Sequence, residues 1–227
     1  MALSADTIAC RCTKNSRLLI GILMLLFVSC TNTMKQEKES LPFYNTADFD
    51  AEWIGNTDAA YAQIHTIDTF SLTSQLGHTI TNDSLKGFIY VANFFFTTCR
   101  GICPKMVNNL TILQDSFAAN KQIKLVSFSV MPWRDSVGRL QQYATANHVD
   151  SLKWFLLTGS MERIYALGRK SYFAEKGLGL QKDNTEFLHT ESMLLIDKHA
   201  RIRGIYNATQ RADIERVTDD IKVLLKE

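Results

Sequence analysis

Two cysteines in the middle of the chain have a spacing that could do chemistry. Cys99 and Cys103 are separated by three residues, and Pro104 follows directly. The apolar run from Phe88 to Phe96 predicts a central strand before them, and Pro104 is typical of the first turn of a helix after them. Backbone N–H groups at the start of a helix stabilise a thiolate. We therefore expect Cys99 to be the more easily ionised thiol, and the pair to be reactive or metal-binding.

The number and softness of these ligands limit the ions that they could hold. Iron–sulfur clusters generally need four cysteines, and closed structural zinc sites need four nitrogen or sulfur ligands. Thiolates with a single imidazole suit Cu(I), and the same two thiols can form a disulfide when no ion is bound. A purely structural disulfide is the alternative, although so short a loop adds little entropic stabilisation.

An imidazole would have to come from one of five histidines, which are His65, His78, His148, His189 and His199. His78 lies at a predicted hairpin, His148 at the end of a predicted helix and His199 at a turn, so each has an ordinary solvated interpretation. His189 precedes an apolar strand that could pack beside the cysteine turn. The pattern favours His189 only slightly over a surface histidine.

The elements that must position these residues alternate between strand and helix patterns, which predicts an α/β fold. A hairpin is expected over 66–72 and 78–81, a helix after Pro104, and a further hairpin over 191–197 and 201–206. Other strands are expected at 123–130 and 154–157, other helices at 135–147, 161–168 and 210–225, and an insertion loop at 171–186.

Three blocks of the sequence resemble the Sco/SenC family of copper-binding thioredoxin-like proteins, which help to mature cytochrome c oxidase. They are the strand and cysteine turn at 93–104, the strand end Ser129-Val-Met-Pro-Trp-Arg-Asp135, and the late segment His189-Thr-Glu-Ser-Met-Leu-Leu-Ile-Asp197. The resemblance covers roughly residues 65–225. It implies a thioredoxin-like fold with an N-terminal β-hairpin extension and a loop insertion before the last β-hairpin.

By the same resemblance Cys99, Cys103 and His189 are implied as ligands of Cu(I). The implied function is a copper chaperone rather than an enzyme, with the copper-site subunit of cytochrome c oxidase or its assembly factors as partner. Met131 stands where the family usually has an acidic residue, and we interpret it as packing, or else as a thioether near the metal.

Other functions remain open at this point. A thiol–disulfide oxidoreductase would use Cys99 to attack a partner's disulfide and Cys103 to resolve it. A peroxidase fits poorly because its Thr-x-x-Cys pattern needs threonine where Phe96 stands. The default interpretation is a surface lipoprotein with a thioredoxin-like fold and no catalytic activity.

The N-terminus resembles a bacterial lipoprotein leader. Eleven apolar residues, 18–28, follow three cationic side chains and precede Ser29-Cys30, and this run is too short to span a membrane. We expect a signal peptide over 1–29, lipidation of Cys30, a tether over 30–52 and the folded domain over 53–227. A signal peptide cut elsewhere, with Cys30 incidental, is the alternative.

Composition and charge exclude several classes of protein. The chain has 227 residues, 46% hydrophobic and 21% charged, which predicts a globular domain rather than a disordered or collagen-like chain. The formal charge of +2 comes from the leader, and the remainder has equal numbers of basic and acidic residues. Nucleic acid is therefore a poor candidate partner. We expect a domain outside the cytoplasm, in the cell envelope of a bacterium, where disulfides can form.

Overall fold

A seven-stranded sheet with helices on both faces forms the body of the protein. The computed structural model describes residues 40–175, 188 and 190–227. Contacts divide the chain into the units Met1–Lys38 and Glu39–Glu227, and every described residue belongs to the second. The predicted leader and Cys30 lie outside the described residues. In the part of the chain that is described, no helix is long and apolar enough to cross a membrane.

The strands and helices follow the predicted alternation, although the first strand, expected over 66–72, lies at Ser71–Ser74. The strands are β1 (Ser71–Ser74), β2 (Thr79–Thr81), β3 (Ile89–Phe95), β4 (Ile123–Ser129), β5 (Trp154–Thr158), β6 (Ser192–Ile196) and β7 (Ile202–Asn207). The α-helices are α1 (Asn82–Leu85), α2 (Cys103–Ser116), α3 (Val137–Ala146), α4 (Met161–Ala166) and α5 (Arg211–Leu224). A 3₁₀ helix at Ala59–Gln63 and a π-helical turn at Leu167–Ser171 complete the set.

The order of the strands, β2-β1-β5-β4-β3-β6-β7, explains where the site lies. Strands β3, β4 and β5 run parallel at the centre, with Val91 beside Leu125 and Leu125 beside Trp154. The outer strands are antiparallel, and β6 pairs with β3 through Asn93 and Met193. The turns after β3 and β4 therefore meet at one edge of the sheet, the carboxyl edge, where ligands commonly bind in open α/β sheets.

Two apolar layers cover the sheet and hold β3 between them. One layer packs α2 and α5 against the sheet and includes Leu110 and Val217. The other includes Phe94 and Phe128, whose rings stack with centroids 5.2 Å apart. Strand β3 is buried at every position, which explains why its sequence is one continuous apolar run.

Residues 41–52 are part of the folded body, so the tether predicted over 30–52 is wrong for this segment. Leu41 and Phe43 are buried. The guanidinium of Arg203 donates from Nη2 to the Leu41 carbonyl at 2.6 Å and from Nε to the Pro42 carbonyl at 3.1 Å. Because a buried backbone carbonyl needs a donor, these bonds fix the segment to β7. Residues 30–39 lie outside the described part.

The insertion loop predicted over 171–186 is wrong for its first four residues. Ser171, Tyr172, Phe173 and Ala174 are buried, and Tyr172 donates or accepts a hydrogen bond with the Tyr90 hydroxyl at 3.1 Å. These four residues therefore belong to the core, where Ser171 ends the π-helical turn and the other three follow it. Residues 176–187 lie outside the described residues.

Candidate metal centre

The two cysteines lie together at the carboxyl edge, where β3 leads into α2. Cys103 is the first residue of α2 and is buried, whereas Cys99 is half-buried and Arg100 and Gly101 beside it are exposed. The Cys99 N–H donates to the Phe96 carbonyl at 3.3 Å, which closes a tight turn before the helix. Both thiols are free. Any reagent or ion therefore reaches the pair from the Cys99 side.

The pKa values of the two thiols shift in opposite directions. Burial alone would raise the pKa of Cys99, but hydrogen bonds from the Cys103 backbone and thiol, and from the backbone N–H groups of Gly101 and Ile102, lower it below the ordinary value. Burial, together with the charges of Cys99 and Asp135, raises the pKa of Cys103 to about 12. The shared hydrogen bond thus favours a thiolate at Cys99 and a thiol at Cys103, as the sequence predicted for Cys99.

A buried carboxylate holds the cysteine turn against β4. Asp135 is fully buried and accepts hydrogen bonds from the Thr97 N–H at 3.1 Å, the Thr97 hydroxyl at 2.6 Å and the Ser129 hydroxyl at 2.6 Å. The Arg139 Nε–H donates to the same Thr97 hydroxyl at 3.2 Å. A buried carboxylate is costly unless its oxygens are hydrogen-bonded, so this network ties Thr97, two residues before Cys99, to the end of β4.

Sequence reasoning did not assign this role to Asp135. The block Ser129–Asp135 contained two members of the network, one at the end of a buried strand and one in the turn after it, and this position was the available signal. The pairing with Thr97 depends on β4 lying beside β3, which spacing alone does not reveal.

Leu188, which precedes His189, is fixed near the same edge of the sheet. It is fully buried, and its backbone N–H donates to the Tyr165 hydroxyl. That hydroxyl in turn donates to the carbonyl of Val130, just beyond the end of β4, at 3.0 Å. A methyl group on Gly168 would come within 2.7 Å of Leu188 Cδ2 and 3.0 Å of Phe94 Cε1, so these groups pack closely.

Thr190, which follows His189, is fixed as well. Its hydroxyl donates to the Ala174 carbonyl at 2.7 Å and accepts the Ser192 N–H at 3.0 Å. His189 itself lies outside the described residues. Both of its neighbours are held by hydrogen bonds of the core.

The other four histidines do not join the cysteines. His65 donates from Nε2 to the Ser171 carbonyl at 2.8 Å and its ring contacts that of Phe173 at a tilt, with centroids 4.7 Å apart. His78, His148 and His199 are exposed. Among the described residues no three His, Cys, Asp or Glu side chains form a group that could hold a metal ion.

Met131 packs on the opposite side of the sheet from Cys103. It is half-buried against the layer that contains Phe94 and Phe128, whereas Cys103 belongs to the layer of α2 and α5. This arrangement fits the interpretation of Met131 as a packing residue.

Comparison with known proteins gives consistent matches. The SCO1/SenC family model matches residues 58–226. A SCO1/SenC family lipoprotein from Bacillus anthracis has a TM-score of 0.62 and 29% identity over 71% of this chain and 95% of its own. BsSco, a member of the Sco family of cytochrome c oxidase assembly proteins in which a disulfide switch was identified, has a TM-score of 0.61 and 29% identity over 72% and 95%.

A copper-bound structure is also similar. ScoI from Arabidopsis thaliana, solved with copper bound, has a TM-score of 0.55 and 25% identity, covering 70% of this chain and 98% of that chain. Together the matches confirm the thioredoxin-like α/β fold predicted from the sequence.

Proposed function

The chain belongs to the SCO1/SenC family, and from this premise we propose that it is a copper chaperone of the bacterial cell envelope. It binds Cu(I) through Cys99, Cys103 and His189. It delivers the ion to the copper site of cytochrome c oxidase, or prepares that site to receive it. The copper-bound ScoI structure and the role in oxidase assembly of the family of BsSco support this proposal.

The observation that carries the proposal is the placement of two free thiols in hydrogen-bond contact at an exposed turn. Cu(I) prefers soft thiolate ligands, and its delivery requires that an acceptor reach it. The half-buried Cys99 is the ligand that the acceptor reaches first, and the buried Cys103 holds the ion on the protein side. Both thiols must lose their protons when Cu(I) binds, so binding releases protons.

His189 is the third ligand in this proposal. Its neighbours Leu188 and Thr190 are tied to Tyr165 and Ala174, and the Tyr165 hydroxyl also binds the Val130 carbonyl beside the Asp135 turn. A neutral imidazole completes a site of low coordination number that suits Cu(I).

The cargo leaves by ligand exchange. A thiolate or imidazole of the acceptor approaches from the Cys99 side, and the donor ligands leave the ion one at a time. The hydrogen bonds of Asp135 keep the turn in place while this happens. We further propose that residues 1–29 are a signal peptide and that lipid on Cys30 anchors the domain outside the cytoplasm; the description of the Bacillus anthracis relative as a lipoprotein supports this.

A second function is favoured by the unequal exposure of the two thiols. In a thiol–disulfide oxidoreductase, the Cys99 thiolate attacks a partner's disulfide and forms a mixed disulfide. The Cys103 thiolate then attacks Cys99 Sγ and expels the partner's second thiolate. The chain ends with a Cys99–Cys103 disulfide, the partner gains two electrons and two protons as a dithiol, and another thiol donor must reduce the chain again.

One titration separates the two functions. Full chains with Cys10, Cys12 and Cys30 replaced by Ser keep only the two thiols of the site. They are reduced and titrated anaerobically with Cu(I) against a competing chelator. We expect a single tightly held equivalent that is lost in Cys99→Ser, Cys103→Ser and His189→Ala.

The control is His199→Ala, which removes an exposed histidine at a turn and should leave copper binding unchanged. If binding is lost in the cysteine variants but kept in His189→Ala, the three-ligand site is wrong and the oxidoreductase is favoured.

A further inference from the structure

The exposed charges around the cysteines are all positive in the two turns that form the site. We define the cationic rim as four exposed side chains, which are Arg100, Lys105, Arg134 and Arg139. Across 96–114 and 130–149 there is a single carboxylate, Asp135, and it is fully buried. Its oxygens are already occupied by Thr97 and Ser129. Within these two turns no carboxylate is exposed.

Chain position and one hydrogen bond place the rim around the thiols. Arg100 adjoins Cys99, and Lys105 lies in the first turn of α2, two residues after Cys103. Arg139 donates to the hydroxyl of Thr97 at 3.2 Å. Arg134 adjoins Asp135, whose carboxylate binds the same threonine. The four cations thus lie on both sides of the cysteine turn.

Cations elsewhere in the described part are often matched by acids. Arg203 binds Asp197 and Glu227, and Arg169 binds Glu175. On α5, Arg216 pairs with Asp213 and Lys222 with Asp219. None of the four rim residues forms an ion pair within the described residues. Because the chain after its leader has balanced charge, the excess at the rim is local.

An aromatic side chain stands within the rim. Trp133 is 57% exposed and adjoins Arg134. Trp and Arg are the residue types that most often anchor protein interfaces, and unmatched cations cost energy in the isolated protein through mutual repulsion. Complementary charge on a partner removes that repulsion and speeds the encounter.

We propose that the cationic rim is the docking surface for an acidic protein, namely the partner that exchanges copper or electrons with Cys99 and Cys103. The proposal rests on the proposed function in one respect, that a partner acts on these thiols. The rim orients the acidic face of the partner over Cys99, and Trp133 provides the apolar contact.

The test uses thiol exchange without copper, so it does not depend on copper binding. The probes are two synthetic peptides with the same internal disulfide, one flanked by four Glu and the other by four Lys. The reduced full chain, with Ser at 10, 12 and 30, reduces each peptide; two electrons and two protons pass to the peptide, and the chain forms the Cys99–Cys103 disulfide. Acid quenching and mass spectrometry give the two rates.

We expect the Glu peptide to react about tenfold faster than the Lys peptide at low salt, with the ratio approaching one at about 0.5 M salt. Lys105→Glu/Arg134→Glu should reverse the preference; neither side chain has a hydrogen bond among the described residues. The ratio cancels any change in thiol reactivity, because that change affects both peptides equally. The matched control is Lys86→Glu/Lys121→Glu, which has the same net charge at the opposite edge of the sheet.

Three results would overturn the proposal. The first is an equal rate for both peptides at low salt. The second is an equal shift of the ratio in the rim variant and the control variant, which would reflect net charge alone. The third concerns sedimentation with phosphatidylglycerol vesicles. If the unaltered chain and the control variant sediment with the vesicles and the rim variant does not, the rim binds a membrane. If the chain does not bind copper but the ratio of the two peptide rates is as expected, only the proposal of a copper chaperone is contradicted.

Discussion

Replacement of Asp135 tests whether one buried carboxylate holds the cysteine turn. Asp135→Ala leaves the Thr97 N–H, the Thr97 hydroxyl and the Ser129 hydroxyl without their acceptor. A hydrogen bond to a charged group contributes about 1.5–3 kcal/mol, although hydroxyls can turn toward other acceptors. Relief from burying a charge offsets part of the loss. We expect the free energy of unfolding to fall by about 3–5 kcal/mol.

Asp135→Asn provides the graded comparison because it keeps the shape of the side chain. An amide oxygen in the place of Oδ2 can still accept from the Thr97 N–H and the Ser129 hydroxyl, while the amide NH₂ faces the Thr97 hydroxyl. We expect a loss of about 1–2 kcal/mol. Asp115→Asn, at an exposed position, should change stability by less than about 0.5 kcal/mol.

Urea denaturation of the reduced chains, followed by tryptophan fluorescence, measures these differences. Alkylation in native buffer adds a local readout, since release of the turn should expose the buried Cys103 and speed its modification. An Asp135→Ala chain as stable as Asp115→Asn, with Cys103 still protected, would refute the assignment of Asp135 as the residue that positions the turn.

Two further predictions concern packing near His189 and the thiols themselves. Gly168→Ala should lower stability by about 1–3 kcal/mol, because its methyl group would lie 2.7 Å from Leu188 Cδ2. Gly138→Ala has open space and should be neutral or stabilise α3 by up to about 1 kcal/mol, so equal effects in urea denaturation would contradict the close packing. The rate of Cys99 alkylation should rise with pH and level off at a lower pH than the rate of an ordinary thiol does. The reason is that the thiolate is the reactive form and the pKa of Cys99 is lowered. Cys103→Ala removes a donor to that thiolate and should move the midpoint upward; an unchanged midpoint would contradict this account.

Much of the fold could be predicted because its central elements are fully buried. Strand β3 is Ile89–Phe95, and the apolar run predicted it over 88–96. The turn after it could be located because a strand ends and Pro104 opens a helix. Helix α5 shows its apolar face at regular spacing, so its bounds Arg211–Leu224 lie within one residue of the prediction.

The features that sequence reasoning missed depend on contacts between distant residues. Arg203 binds the carbonyl of Leu41 across 162 positions, so residues 41–52 looked like a tether in isolation. The bonds between Thr97 and Asp135 span 38 positions and exist because β3 and β4 are neighbours. The spacing of residues within one segment does not predict either contact.

The pairing of β3 also determines when, during folding, the strands around the cysteine turn come into place. On one side β3 pairs with β4, which follows 34 positions later, but on the other side Asn93 pairs with Met193, which is 100 positions away. Contacts between distant segments form late, because a long loop must first close. The two thiols are therefore made well before the last strands can complete their surroundings. Under the export that we propose, the chain enters an oxidising compartment during this period, and foreign thiols and disulfides compete with native folding for both sulfurs.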